Sequence, residues 1–188
     1  MQYRKLPHGE EQIGVLGLGS SAIGPAGDRE IEATIALALE NGVNYFDMAS
    51  GDAAPFAPYG RAIAAAGARD RVYFQIQFGA EYTSGKYGWT LDLETIKRSV
   101  DWQLKQLRTD YIDFGFIHCI DEPDDYRKAR EAGTIDYIRD LQRQGVVRHI
   151  GMSSHTPAVV NQVLDEGLLD MLMFSINPAY DYQQGEYA

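Results

Sequence analysis

The chain has 188 residues, which is enough for one domain with a sizeable core, and its composition is that of an ordinary globular protein. Its 17 basic and 27 acidic residues give a net charge of −10, spread along the chain, which argues against binding to nucleic acid or to an anionic membrane. The single cysteine, Cys119, excludes an internal disulfide bond, and the amino terminus lacks the apolar run of a signal peptide. We therefore expect a cytoplasmic protein without membrane-spanning segments.

The predicted elements alternate between strands and helices at intervals of roughly 25–35 residues, which is the pattern of a parallel α/β fold. A small hairpin over residues 2–14 comes first, with its turn at residues 7–9. Buried strands are predicted at residues 15–19, 43–46, 72–76, 111–117, 146–151 and 170–175. Helices are predicted at residues 28–41, 58–67, 92–107, 134–144 and 156–167, the first capped by Asp28.

Polar residues stand at the carboxyl ends of several predicted strands, where barrel enzymes place their chemistry. Asp47 ends the second strand, His118 ends the fourth, and Ser153 and Ser154 follow the fifth. Taken alone, Asp47 fits a loop cap equally well, because Asp is a common turn residue. The two serines fit equally well as caps of the helix that begins near Pro157.

Seven segments, in order along essentially the whole chain, resemble the aldo/keto reductases, which are NADPH-dependent (β/α)8-barrel enzymes. The segments are MQYRKLP, VLGLGS, NGVNYFDMAS, RDRVYFQIQ, TDYIDFGFIH, GVVRHIGMSSH and MFSINPAYDY. The resemblance implies a TIM barrel with an amino-terminal hairpin, NADP(H) as cofactor and a small carbonyl compound as substrate. The opening and SINPAYDYQ look most like the bacterial members that carry an iron–sulfur segment after the barrel, and this sequence has no such cysteine cluster.

The family's catalytic set is an Asp, a Tyr, a Lys and a His at the strand ends, and two of the four match. Asp47 matches the Asp, and His118 matches the His. The family spacing places Asp52 at the Tyr position and Gln77 at the Lys position. Tyr59 would need a shift of seven residues to take the Tyr position, so we assign it to the following helix.

The two replacements predict weak or absent reductase activity. In a carbonyl reductase the phenol donates a proton as hydride arrives, and the ammonium lowers the pKa of that phenol. Gln77 carries no charge, and a carboxylate such as Asp52 is shorter than a phenol and usually ionised at pH 7. Asp52 is then either a solvated loop residue or, if Asp47 beside it raises its pKa, a substitute acid.

Two alternative functions remain open at this point. The first is a non-catalytic binding or regulatory protein that keeps the barrel pocket without the chemistry. The second is a metal-dependent hydrolase or lyase that uses Asp47, Asp52 and His118, since barrel enzymes often place such ligands at strand ends. The sequence has no H-x-H or other dense ligand spacing, so we rank this alternative last.

The resemblance also implies a set of serines for the nicotinamide end of the cofactor. Ser153 and Ser154 match the family's Ser-Asn pair after the fifth strand, and Ser175 falls where a Gln on the sixth strand would be. Ser20 and Ser21 follow the first strand, where the family touches the nicotinamide side. The family's adenosine-phosphate loop follows a seventh strand, beyond the six predicted here, so we expect this chain alone to bind NADP(H) poorly.

The count of elements predicts an incomplete barrel. We count six strands and five crossover helices, whereas a closed barrel of this kind has eight of each. We therefore expect residues 1–188 to form a single barrel domain that is truncated at its carboxyl end. The first and sixth strands would be open edges, which invite self-association or cover by a further carboxyl-terminal segment.

Overall fold

The computed structural model describes residues 1–176 and begins with the predicted hairpin. Strands β1 (Tyr3–Lys5) and β2 (Gln12–Gly14) pair in antiparallel fashion. Asn44 fastens the hairpin beneath the sheet, because its amide accepts from the Gly14 N–H at 2.9 Å and donates to the Gln12 carbonyl at 2.8 Å. The hairpin therefore closes the end of the sheet at which the strands begin.

The central feature is a parallel sheet of six strands that curls into half of a barrel. In spatial order, its strands are β3 (Leu18–Gly19), β4 (Tyr45–Asp47), β5 (Tyr73–Phe78), β8 (Ile112–Ile117), β9 (Val147–Ser153) and β10 (Met171–Met173). The strands of this sheet therefore lie side by side in the order in which they follow one another along the chain. The structure thus confirms the predicted α/β architecture and the incomplete barrel.

Helices cover the outer face of the sheet. They are α1 (Asp28–Glu40), α2 (Phe56–Ala65), α3 (Leu93–Leu107), α4 (Pro123–Glu131), α5 (Thr134–Arg143) and α6 (Pro157–Asp165). Helix α3 forms as predicted, with the Asp92 carboxylate accepting from the Thr95 N–H at 2.8 Å. The prediction that Asp28 caps α1 is wrong: Gly27 is the cap, and Asp28 is the first helical residue, where its charge favours the helix amino terminus.

Helix α4 lies in a stretch that the sequence analysis treated as a polar connection. It begins with Pro123, a residue suited to the first helical turn, and Arg127 pairs with Glu131 one turn further on. Only Tyr126 and Ala129 are buried on it. Two buried residues in nine give too faint an apolar periodicity to reveal the helix in the sequence.

A second hairpin, also not predicted, joins β5 to α3. Its strands are β6 (Ala80–Glu81) and β7 (Gly88–Trp89), and Gly85 takes a positive φ of 89° in the turn. The Ser99 hydroxyl on α3 donates to the Ala80 carbonyl at 2.6 Å and anchors the hairpin. The hairpin therefore stands over the edge at which the strands end.

The core divides at the sheet. Most buried apolar residues lie between the sheet and the helices. The concave face holds a smaller cluster of Tyr45, Phe114 and Phe116, against which Leu6 and Ile13 of the first hairpin pack.

Among residues 1–176, none of the helices has the length and apolarity needed to cross a membrane.

Candidate active site

Three of the predicted site residues meet at the carboxyl edge of the sheet. Asp47 ends β4, Gln77 lies near the end of β5, and His118 follows β8 directly. The Gln77 amide nitrogen lies 3.1 Å from the Asp47 Oδ1 atom, and the Gln77 Oε1 atom lies 3.1 Å from the His118 Nδ1 atom. Asp47, Gln77 and His118 therefore form one hydrogen-bonded chain across three neighbouring strands.

Asp47 is held by neutral donors. Its Oδ1 atom accepts hydrogen bonds from the Ala49 N–H and the Gln75 amide, each at 3.0 Å, in addition to Gln77. Gln75 is oriented in turn by the Tyr45 hydroxyl, which bonds its Oε1 atom. Burial raises the pKa of the Asp47 carboxyl, and the hydrogen bonds from Ala49 and Gln77 offset part of that rise.

His118 is a neutral imidazole with a defined environment at both ring nitrogens. Burial lowers its pKa to about 4, and His155 acts in the same direction, while Asp121 opposes the shift. The Nδ1 atom faces the Gln77 Oε1 atom and, at 3.4 Å, the Ser153 hydroxyl. The Nε2 atom faces the second hairpin.

Tyr87, at the base of β7, supplies the hydroxyl that faces His118. Its oxygen lies 3.1 Å from the His118 Nε2 atom, and the two rings meet edge to face with centroids 5.8 Å apart. Tyr82 flanks the Tyr87 ring and is tied to the Ser50 backbone on the loop after β4. Burial raises the pKa of the Tyr87 phenol, which nevertheless keeps 39% of its surface exposed.

Tyr87 is not among the site residues predicted from the sequence. The signal that was present is local: Ser84 and Gly85 form a turn between two short segments rich in aromatic residues. That pattern predicts a hairpin at this point of the chain. It does not show that the hairpin folds over His118, which is 31 residues away.

Asp52 and Tyr59 lie apart from this chain of hydrogen bonds. The Asp52 carboxylate accepts from the Ala54 N–H at 2.9 Å, and its backbone bridges to Lys86 in the second hairpin. Within residues 1–176, no hydrogen bond joins Asp52 to Asp47, Gln77 or His118. Tyr59 lies in α2, as expected, and its hydroxyl donates to the Gly19 carbonyl at 3.4 Å.

Two of the predicted cofactor serines have hydroxyl protons committed within the fold. Ser20 is buried and donates to the Ala49 carbonyl at 3.1 Å. Ser154 is buried, donates to the Asp121 carboxylate at 3.2 Å and accepts from the Thr156 N–H, which suits a helix cap. Their hydroxyls thus serve the loops that surround the site.

The other three serines suit the nicotinamide end of a cofactor better. Ser153 accepts from the Cys119 N–H at 2.9 Å and faces His118 Nδ1, which leaves its own proton available for a carboxamide. Ser21 and Ser175 are exposed after β3 and β10. Hydroxyl groups can both donate to and accept from a nicotinamide amide, and a bound cofactor would supply or take up a hydride.

Metal ligation was one of the alternatives, and it needs a cluster of suitable side chains. The part of the chain that the structure describes holds no group of three or more His, Cys, Asp and Glu side chains that could bind a metal ion.

A parallel half-barrel with polar groups gathered at the strand ends is the architecture of a barrel-type α/β enzyme. The model of the aldo/keto reductase family matches residues 13–180. The chain therefore belongs to the aldo/keto reductase family, an oxidoreductase family.

Curated relatives agree with this assignment. Protein tas of Escherichia coli is 25% identical over 182 residues, which cover 83% of this chain and 53% of that protein. The uncharacterized oxidoreductase YqkF of Bacillus subtilis is 27% identical over 184 residues, and the matched region covers 94% of this chain and 56% of YqkF. The chain thus spans about half the length of the curated relatives it matches.

Solved structures show the same fold. A putative aldo-keto reductase from Pseudomonas aeruginosa superposes with a TM-score of 0.79 at 25% identity, over 94% of this chain and 68% of that one. The aldo-keto reductase AKR11C1 from Bacillus halodurans gives a TM-score of 0.75 at 24% identity, over 94% of this chain and 58% of that one.

Proposed function

We propose that this chain carries the active site of an NADP(H)-linked oxidoreductase that acts on a small carbonyl–alcohol pair, with weak carbonyl reduction. The observation that carries the proposal is the hydrogen-bonded chain of Asp47, Gln77 and His118 at the carboxyl edge of the sheet. A cytoplasmic setting suits a chain whose only cysteine is Cys119. NADP(H) is the cofactor that the family resemblance implies.

The expectation of weak reduction rests on the electrostatics of the site. A carbonyl reductase needs a proton donor whose pKa is brought towards the working pH. Here Gln77 offers Asp47 an amide N–H in place of an ammonium, and none of the ion pairs within residues 1–176 involves Asp47. Burial raises the pKa of the Tyr87 phenol, and no cation of the described part of the chain lowers it. A phenol in this setting gives up its proton reluctantly.

The alternatives of a non-catalytic binding protein and of a metal-dependent hydrolase or lyase gain no support from the described residues or from the relatives.

The test is an NADPH titration of the 188-residue chain followed by fluorescence, together with turnover on a panel of aldehydes and ketones. We expect weak but saturable NADPH binding, because the family's adenosine-phosphate loop follows a seventh strand, and slow reduction that the His118→Asn variant abolishes. Arg143→Ala, on an exposed helix end, is the control and should change neither quantity. Failure to bind NADPH would contradict the cofactor assignment, and fast reduction would contradict the expected weakness.

A further inference from the structure

We propose that Tyr87 and His118 form the proton-transfer pair of this site, with Tyr87 touching the substrate oxygen and His118 Nε2 as the final acceptor of the proton of a bound alcohol. This inference rests on the proposed function and deepens it, since it assigns a catalytic residue and makes secondary alcohols the substrates that the site handles best. It follows from the direction of the hydrogen bonds.

The direction of the hydrogen bonds from Asp47 through Gln77 to His118 is fixed by the bond that Asp47 accepts from the backbone. The Ala49 backbone N–H can only donate, so the Asp47 Oδ1 atom is an acceptor. The end of the Gln77 side-chain amide that faces this oxygen must then be the NH2 group, and its nitrogen lies 3.1 Å from Asp47 Oδ1. The carbonyl end of the same amide, Oε1, consequently points at His118 Nδ1.

A carbonyl oxygen can only accept, so the proton of neutral His118 lies on Nδ1. The Ser153 hydroxyl, 3.4 Å from Nδ1 and held by the Cys119 N–H that donates to it, has a lone pair that can accept the same proton. The Nε2 atom therefore carries a lone pair. The Tyr87 hydroxyl, 3.1 Å away, must be the donor to it.

The exposures of the two side chains give their order along the proton path. His118 is 8% exposed, whereas Tyr87 is 39% exposed at the rim formed by the second hairpin. A substrate oxygen that enters the edge of the sheet meets the Tyr87 oxygen before it meets the imidazole. Tyr87 is thus positioned to pass a proton between the substrate and His118.

The step balances as an alcohol oxidation. The alcohol O–H bond breaks and its proton passes to the Tyr87 oxygen, while the Tyr87 proton passes to His118 Nε2. The C–H bond on the same carbon breaks, its hydride goes to an oxidised nicotinamide, and the C=O bond forms. The imidazolium then releases its proton to water and restores the starting state.

Burial keeps the His118 ring neutral, with His155 acting in the same direction and Asp121 opposing them. Asp47 reaches the ring only through Gln77, and Cys119 follows His118 in the chain. With a pKa of about 4, His118 is an unprotonated acceptor at neutral pH. The reverse reaction needs the imidazolium, which is about one part in a thousand of the His118 population at pH 7.

The first test is ¹⁵N NMR of the histidine rings of the 188-residue chain. We expect the Nδ1–H tautomer for His118, and we expect Tyr87→Phe to raise the pKa of His118 by up to about one unit, because the neutral ring loses a donor. Tyr137→Phe is the matched control, a half-buried tyrosine on α5. The Nε2–H tautomer, or a pKa that ignores Tyr87→Phe, would overturn the proposal.

The second test is kinetic. With NADP⁺ and secondary alcohols, we expect Tyr87→Phe to lower kcat by about 10²–10⁴-fold with KM little changed, and Tyr137→Phe to do neither. The rate of carbonyl reduction should fall about tenfold for each unit rise in pH, whereas the rate of alcohol oxidation should not change with pH. Equal loss of kcat in both variants would overturn the assignment of Tyr87. A Tyr87-dependent His118 titration in a chain that does not bind NADP(H) would contradict the proposed function and leave the pair standing.

Discussion

Two buried carboxylates at opposite ends of the sheet are held in opposite ways. Asp113, near the start of β8, is fully buried and lies 2.9 Å from the guanidinium groups of both Arg69 and Arg148. It also accepts from the Phe74 N–H at 2.9 Å. Asp47, at the end of β4, is bonded by one backbone N–H and two side-chain amides. One carboxylate is neutralised by cations, and the other is only solvated by dipoles.

This difference between Asp113 and Asp47 suits the amino edge of the sheet to stabilising the fold and the carboxyl edge to chemistry. At the amino edge, Arg69 also donates to the carbonyls of Val72 and Tyr111, so the ion pair ties the starts of β5 and β8 to the turn that precedes β5. At the carboxyl edge, Gln77 links Asp47 to His118 by hydrogen bonds, and no cation of the described residues pairs with Asp47. We infer that the amino edge holds the half-barrel together and that the carboxyl edge is tuned for proton transfer.

The largest expected effect is on the stability of the amino edge. Asp113→Asn should lower the free energy of unfolding by about 3 kcal/mol, because an amide N–H would face a guanidinium and leave it unpaired. We place the value at the low end of such losses because the Arg148 side chain is 47% exposed. Urea denaturation measures it, with Asp110→Asn in the exposed turn before β8 as the control. Equal stability of the two variants would show that the ion pairs are not structural.

The smaller expected effect is at the carboxyl edge. Asp47→Asn should change the free energy of unfolding at pH 7 by less than about 1 kcal/mol, or stabilise the fold, because no cation loses its partner. Since the folded-state pKa of Asp47 lies above its ordinary value of 3.8, the carboxyl favours folding below that value, and this contribution is lost as the pH rises through the folded pKa.

The pH dependence provides the control for that variant. Denaturation of Asp47→Asn and of the parent chain from about pH 4 to pH 7 should show the parent losing stability relative to the variant as the pH rises. A parent chain that gains stability over this range relative to Asp47→Asn would contradict a raised pKa. If Asp47→Asn lowered the free energy of unfolding as much as Asp113→Asn does, the proposed difference between the two edges of the sheet would be contradicted.

The sequence was sufficient for those parts of the fold that depend on local patterns. Strand β8 and helix α3 were predicted to within one residue at their ends, because a continuous apolar run and a 3.6-residue apolar period are strong local signals. The positions of Asp47 and His118 at the same edge followed from the rule that parallel strands end together. Their link through Gln77 is consistent with that rule.

Other parts depend on contacts between distant residues, which local patterns do not report. The strands β6 and β7 have two residues each, and α4 buries only two side chains, so neither gives a measurable period. Tyr87 reaches the site because its hairpin is anchored to α3 and covered by Tyr82. The family spacing indicates Asp52, whereas the hydroxyl that lies beside His118 belongs to Tyr87 of the second hairpin.

The most direct test of the account is a ¹³C NMR titration of the Asp47 carboxyl group. We expect it to titrate above 3.8 in the parent chain, and we expect Gln77→Lys to lower its pKa by roughly one to three units, because an ammonium would replace an uncharged amide. Gln144→Lys, at the exposed end of α5, is the control for the added charge and should leave the titration unchanged. An Asp47 pKa at or below 3.8 in the parent chain, or one that does not respond to Gln77→Lys, would contradict the claim that this site keeps a buried carboxylate without a cation.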